Sequence, residues 1–494
     1  MFRDESSKVI QKAHAQWGTP GSPQGSADGD QKSPTISEKA TASTTTTLPL
    51  NHRPSPTSSS AISSRSPSAM HKIAEPKLPP KIEPNLDQRG LKFYMERYLL
   101  NHPDSPGDPE LREVYFSNEE AMRNVMVAVG LAGMSNLLGN KSMNLVARSK
   151  YVAALKQTGQ LITSVSRDYL TVVKPLRSIV TLALFEVVQG RGSCISASSA
   201  NTHVHGAVAL LRTVLPLSNS PNGGARGALQ LMFSMFIPCQ MTNTPLPPGY
   251  FECLKLCKHL LHDTPQSCDV VLAASVASLL ELFITVDRTT FIDDRPETDA
   301  LIRQFLSMEA VFDRIEQQLH TAHPFVEHDS GQPSAALFRG KWHRYVDIWG
   351  ARIWNHYRWA RLMLGGRIIK SMAEYPRSSA RCVAPPYKVR CFSIVETMAE
   401  DTLTSTSAHW RHPMLDDATA IKYEAPGQGG AGAAGLPTLL WHLNIAGCAP
   451  NVPPELWQWA YNNLQVVWKS MGMQHALALS ELMEEHRKTL HIGI

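Results

Sequence analysis

The order of apolar and polar residues divides the chain into three stretches. From Phe2 to Trp17, Val9, Ile10, Ala13 and Trp17 fall close to one helical face, so residues 1–17 are predicted to form a short amphipathic helix, marginal on its own in water. Residues 18–86 have almost nothing to bury. TASTTTTLPL and RPSPTSSSAISSRSPS cannot offset the entropy of ordering, and this stretch is read as a disordered Ser/Thr/Pro-rich linker. Ser22, Ser33, Ser55 and Ser66 each precede a proline there, which suits proline-directed phosphorylation, but such dipeptides are common in any linker and a plain spacer is the favoured reading.

Residues 87–494 carry apolar positions at helical spacing nearly throughout. Helices are predicted over 90–101, from a cap at Ser117 with Glu119 and Glu120 in the first turn to Gly139, over 143–162, and over 172–188 with Pro175 in the first turn. Further helices follow over 200–215 and 225–238, separated by the SNSPNGG turn, then over 250–261, 269–287 and 298–320. Residues 321–338 read as a polar loop. One very long helix is predicted over 341–374, with Tyr345, Trp349, Ile353 and the 356–357 pair on its buried stripe, Trp342 and Val346 beside them, and Arg352, Arg358 and Arg361 on or near its edges. Helices over 389–403, 436–446, 455–471 and 473–490 complete the set, with GQGGAGAAG (427–435) as a loop. No sustained period-2 alternation between turns is found, so strands are expected to be nearly absent. The fold class is all-α: a large irregular multi-helix body behind a disordered tail.

Bulk properties narrow the function. Hydrophobic residues make up 43% of the chain, enough for a sizeable core. The net charge is +5, of which residues 1–86 hold +3, leaving a body far less basic than a nucleic-acid-gripping surface. The start of the chain does not read as a secretory signal, and the apolar run 270–286 is broken by Ser275, Ser278 and Glu281, so it reads as a buried helix and no membrane partner is expected. The eight cysteines are scattered, with no CxxC. Cys253 and Cys257 lie on one helix face without a second Cys/His pair to complete a zinc site, and are read as reduced core thiols.

Catalytic motifs are missing: there is no GxSxG, no HExxH, no phosphate-cradling GxxxxGK[ST], and no GxGxxG after a strand. His203 and His205 are two apart on a helix and cannot share a face. Asp293-Asp294-Arg295-Pro296-Glu297 is the one acidic cluster of interest. Paired carboxylates of this kind hold Mg²⁺ in terpene synthases, but no facing Asn/Ser/Glu motif accompanies it, and a loop that caps the next helix is the simpler reading. No residue is assigned as catalytic, cofactor-binding, metal-binding or DNA-binding.

Three segments together resemble one family. They are AVGLAGMSNLL (128–138) with ARSKYVAALKQTG (147–159), LALFEVVQG (182–190) with NTHVHGAVALLR (201–212), and the C-terminal run LPTLLWHLNIAGC...ELWQWAYNNLQVVWKSMGMQHALALSELM. Their order and spacing resemble the helical regulatory domain of fungal zinc-binuclear-cluster (Zn2Cys6) transcription factors. His203, Gly206, Ala207, Leu210 and Leu211 fit the spacing of the family's W-x-x-H-x-x-G-A-x-x-L-L segment, with Ala200 in place of the Trp. Arg352, Asn355, Tyr357 and Arg358 echo its R-x-x-N-x-Y-R helix. The resemblance implies a non-enzymatic transcription regulator in the nucleus. It implies as partners proteins of the transcription machinery or a second copy, and room for a small-molecule effector. In the family, DNA is read by a six-cysteine cluster on two zinc ions N-terminal to this domain. No cysteine precedes Cys194, and MFRDESSKVIQKA looks like the segment that follows such a cluster, so the chain is expected to start just downstream of it. Zinc is expected only with that cluster, and DNA contact only through it. The alternatives are an all-helical Mg²⁺-dependent enzyme using Asp293, Asp294 and Glu297, and a helical scaffold with no regulatory task.

Overall fold

The computed structural model describes residues 85–99, 119–165, 169–190, 193–214, 221–427 and 435–492. The amphipathic segment 1–17 and the linker up to residue 84 lie outside the described residues.

The first helix, α1 (Leu86–Tyr94), starts earlier than its apolar pattern suggested. Asn85 and Gln88 form a reciprocal capping box, each side chain accepting the other's backbone N–H at 2.8 and 3.0 Å, and this pair nucleates the helix before the first apolar residue. A π-turn, Met95–Leu99, continues it. Helix α2 (Glu120–Leu138) has Glu119 at its N-cap with no side-chain cap bond; Ser117, expected there, lies outside the described residues. Gly139, left-handed at φ 63°, ends α2 as the sequence suggested. The Asn140 side chain then accepts the Met143 N–H and starts α3 (Lys141–Thr163).

Helices α4 (Tyr169–Gln189), α5 (Ser193–Val214) and α6 (Pro221–Thr242) follow. Two expectations change here. Pro175 lies inside α4 rather than in its first turn, and α6 absorbs the PNGG half of the expected turn because Pro221 is tolerated at a helix start. Next come α7 (Pro248–Leu260), α8 (Ser267–Arg288) and α9 (Pro296–Ala322). In α8, 61% of its most apolar 18-residue window is buried, which fits a core helix.

The main correction falls on residues 321–347. The expected polar loop and the first turns of the expected long helix form an antiparallel hairpin, β1 (Phe325–Asp329) with β2 (Lys341–Tyr345), in the register Phe325↔Tyr345 to Asp329↔Lys341. Trp342 and Val346 therefore leave the helical stripe, and Val346 is 72% exposed. Cross-strand pairs stabilise the ladder: Phe325 on Tyr345, His328 stacked on Trp342, and the Lys341–Glu327 ion pair at 2.8 Å. The long helix, α10, starts only at Ile348, where the Asp347 carboxylate caps it by accepting the Gly350 N–H, and it runs to Glu374.

Helices α11 (Pro376–Cys382), α12 (Pro385–Thr404), α13 (Thr406–His409), α14 (Asp417–Tyr423), α15 (Gly435–Gly447), α16 (Pro454–Met471) and α17 (Gln474–Ile492) complete the body. Seventeen α-helices and one hairpin make the described residues an all-α structure. Helices α1 to α5 pack as an N-terminal group, α10 lies against α8, α9, α12 and α15, and the α15–α17 triplet closes back onto α2, α4 and α5.

Candidate functional site

The three segments that carry the family resemblance meet at one point. Gly130, in AVGLAG, faces Gly90 so closely that a β-carbon at Gly130 would overlap the Gly90 carbonyl, letting α1 and α2 cross nearly backbone to backbone. One turn on, Gly133 meets Gly472 in the same way. Gly472 ends α16 in the left-handed conformation at φ 67°, and its own β-carbon position is filled by the Gly133 carbonyl. The Asn136 amide then donates to the Val188 carbonyl and to the Gly472 carbonyl, both at 2.8 Å. Tyr98 donates to the Met471 carbonyl at 2.5 Å. One asparagine thus ties the first segment to the end of LFEVV and to the SMGM turn near the C-terminus.

A second node joins the rest of the matching residues. Tyr151, from ARSKYVAALKQTG, is buried and donates to the Glu186 carboxylate of LFE. Its ring stacks on Phe185 at 4.3 Å, and its hydroxyl lies 2.9 Å from His203 Nε2. Burial, with Glu186 beside it, holds the Tyr151 hydroxyl well above its ordinary pKa. His203 is therefore a bonded core histidine. His205 is half-buried, and desolvation lowers its pKa. Gly206 is exposed with open space at its β-carbon position, so packing among the described residues does not demand glycine there.

The R-x-x-N-x-Y-R match on α10 lies inward. Arg358 and Arg361 are fully buried, not on the helix edges as the sequence suggested. The reason is tertiary: each finds partners on other elements. Arg358 donates to the Tyr345 hydroxyl at 2.8 Å and to Asn355 Oδ1 at 3.1 Å, and stacks over Phe325 and Trp354. Asn355 also accepts from Ser405 and donates to His409 Nε2, so α10, the hairpin, α12 and α13 share one polar knot. Arg361 pairs with Glu309 and Asp313, each at 2.9 Å. Burial works to raise the Asp313 carboxyl, but the Arg361 and Arg390 hydrogen bonds outweigh it and hold the pKa below its ordinary value. Arg352 remains half-buried.

A cleft of about 230 Å³ opens at the N-terminus of α10, lined by Arg226, Gln266, His323, Tyr345, Asp347 and Gly350 among others. Arg226 pairs with Asp347 at 2.8 Å and lies over the Trp349 ring at 5.1 Å. The volume is below the roughly 300–1,000 Å³ of drug-sized sites, so only a small ligand would fit.

The acidic cluster has a different task. Asp293 accepts the backbone N–H groups of Arg377 and Ser378 at 3.1 and 3.0 Å, capping α11. Although partial desolvation opposes it, these bonds lower the Asp293 pKa. Asp294 pairs with Arg381, which also takes Asp299, while Glu297 is exposed in the first turn of α9. The sequence suggested that this cluster caps the helix that follows it; instead Asp293 caps α11, and Arg295 at the N-cap of α9 makes no side-chain cap bond. Cys253 and Cys257 are fully buried on α7, where core thiols were expected.

Comparisons with protein-family models, curated proteins and solved structures find no match.

Proposed function

We propose that residues 87–494 form the regulatory body of a transcription regulator of the fungal Zn2Cys6 kind, non-enzymatic and nuclear. It acts through a protein partner or a second copy, and DNA contact belongs to a separate six-cysteine zinc module. A single observation carries this reading: Asn136, with the Gly133–Gly472 contact, gathers three distant segments of the resemblance into one packed node. Segments that resemble a family in their order and also pack on one another support the reading that they form one core. The engagement of Asp293 and Asp294 by α11 leaves the terpene-synthase-like alternative without free paired carboxylates to favour it.

A fusion of the full chain to a heterologous DNA-binding domain tests the reading. The fusion is expected to raise or lower transcription from a reporter bearing the matching operator, relative to the DNA-binding domain alone at equal abundance. The unfused chain is expected to show no sequence-specific retention of DNA. Reporter output indistinguishable from that of the DNA-binding domain alone, or Mg²⁺-dependent turnover of a prenyl diphosphate by the purified chain, overturns it.

A further inference from the structure

Beneath the α10 cleft, three side chains of different chemistry converge on one buried carboxylate. Asp269, in the first turn of α8, is 0% exposed. Its Oδ1 lies 2.7 Å from His323 Nε2 and accepts from the Cys268 thiol at 3.3 Å, and its Oδ2 accepts the Trp349 indole N–H at 2.8 Å. The three ligand-type atoms, one each of sulfur, nitrogen and oxygen, all lie within 4.8 Å of one another. Cys268 and His323 are also buried, and His323 forms part of the cleft wall.

A buried carboxylate requires a compensating positive charge. Among the described residues, Asp269 has no Lys or Arg in its ion pairs; its one charged partner is His323, which is charged only when protonated. The other mixed cluster among the described residues, Glu327, His343 and Asp401, differs on this point: Lys341 and Arg358 already pair with its carboxylates.

We propose that Cys268, Asp269 and His323 form a binding site for one divalent zinc-class ion, with the remaining coordination position open to the cleft. Thiolate, imidazole and carboxylate together are the donor set that a borderline-soft tetrahedral cation prefers over magnesium or calcium. With metal–ligand bonds of about 2.0–2.3 Å, neighbouring ligands sit roughly 3.3–3.7 Å apart. The sulfur–oxygen separation already matches, and the imidazole must withdraw by about 0.6 Å from its hydrogen bond to reach the lower end of that range. On binding, the Cys268 thiol loses its proton to solvent. His323 coordinates as neutral imidazole through Nε2, with its proton on Nδ1. The Trp349 N–H stays on Asp269 Oδ2 and orients the carboxylate from outside the coordination sphere. The open position would take water or an anionic ligand atom entering by the cleft. This inference stands apart from the regulatory reading above and does not depend on it.

Cobalt supplies the spectroscopic test. The full chain, stripped with chelator, is titrated with Co²⁺ and then with Zn²⁺. One equivalent of Co²⁺ is expected to give a thiolate-to-cobalt charge-transfer band with tetrahedral visible bands, displaced by one equivalent of Zn²⁺. Cys268→Ser abolishes the charge-transfer band, and Trp349→Phe weakens affinity about tenfold. Cys253→Ser and Cys448→Ser leave the spectrum unchanged. Absence of a stoichiometric thiolate band in the wild-type chain overturns the proposal. So does a band that survives Cys268→Ser, or one lost in Cys253→Ser while the circular dichroism is unaltered.

Discussion

At the residue scale, the most informative positions are buried polar groups. His475 is 1% exposed, meets Trp441 edge to face at 4.8 Å, and has no hydrogen-bond partner for either ring nitrogen among the described residues. Burial pushes its pKa from 6.5 down to about 3. The folded chain therefore refuses a proton that the unfolded chain accepts below pH 6.5. Stability is fully present above that value and is lost as pH falls toward 3, by about 1.4 kcal/mol per pH unit. His475→Leu removes this term and leaves no polar atom unsatisfied. Relative to wild type it is expected to gain about 2 kcal/mol at pH 5 over its effect at pH 7, read from urea unfolding midpoints at the two pH values. An equal effect at both would show that His475 takes up its proton in the folded state. Nothing in the local sequence MGMQHALAL distinguishes this histidine from a surface one, because its burial is imposed by α15 and α16. The same holds for Arg358 and Arg361. An arginine at the flank of an apolar stripe reads as solvated until the acid or phenol that receives it is placed, and those partners lie far off in sequence.

At the element scale, sequence reading succeeded where a helix is long and its caps are local. Gly139 announces the end of α2, and α16 is found close to its expected bounds of 455–471. It failed at the hairpin. Lys341–Tyr345 is only five residues long, and its Tyr345–Trp349–Ile353 spacing continues the α10 stripe without a break. Period 2 over so few residues cannot compete with period 3.6 over thirty. The capping residue Asp347 was the available stop signal between the two. Glycines show the same contrast between pattern and packing. Gly130→Ala is expected to destabilise by about 3 kcal/mol or more, since two backbones must part. Gly206→Ala, in the middle of α5 with open space, is expected to stabilise by about 0.5–1 kcal/mol. Thermal melts of the two variants check the pair. A neutral Gly130→Ala would mean that α1 does not press on α2 in solution.

At the scale of the whole molecule, the fold class was legible in the sequence, but the site was not. Asp269 and His323 are 54 positions apart with no repeat or motif linking them, and only the turn that brings the end of α9 to the start of α8 makes them neighbours. The closure of the body is likewise invisible along the chain. Helices α16 and α17 finish a core that α1 to α5 begin. Deleting residues 454–494 is therefore expected to abolish cooperative unfolding and to leave a species that binds ANS. A deletion variant that kept a sharp thermal transition would show that the N-terminal helices are self-sufficient.

The bonds from Tyr98 to Met471 and from Asn136 to Gly472 span 373 and 336 positions. Synthesis proceeds from the N-terminus, so most of the chain must emerge before α1 and α2 meet the partners that cover them. During that interval the part of α2 around Gly133 lacks the α16 turn that covers it and stays open to chaperones and to the wrong neighbours. A chain cut short before Gly472 can never complete this node, and the cell is expected to meet it as a clearance substrate rather than as a smaller working protein.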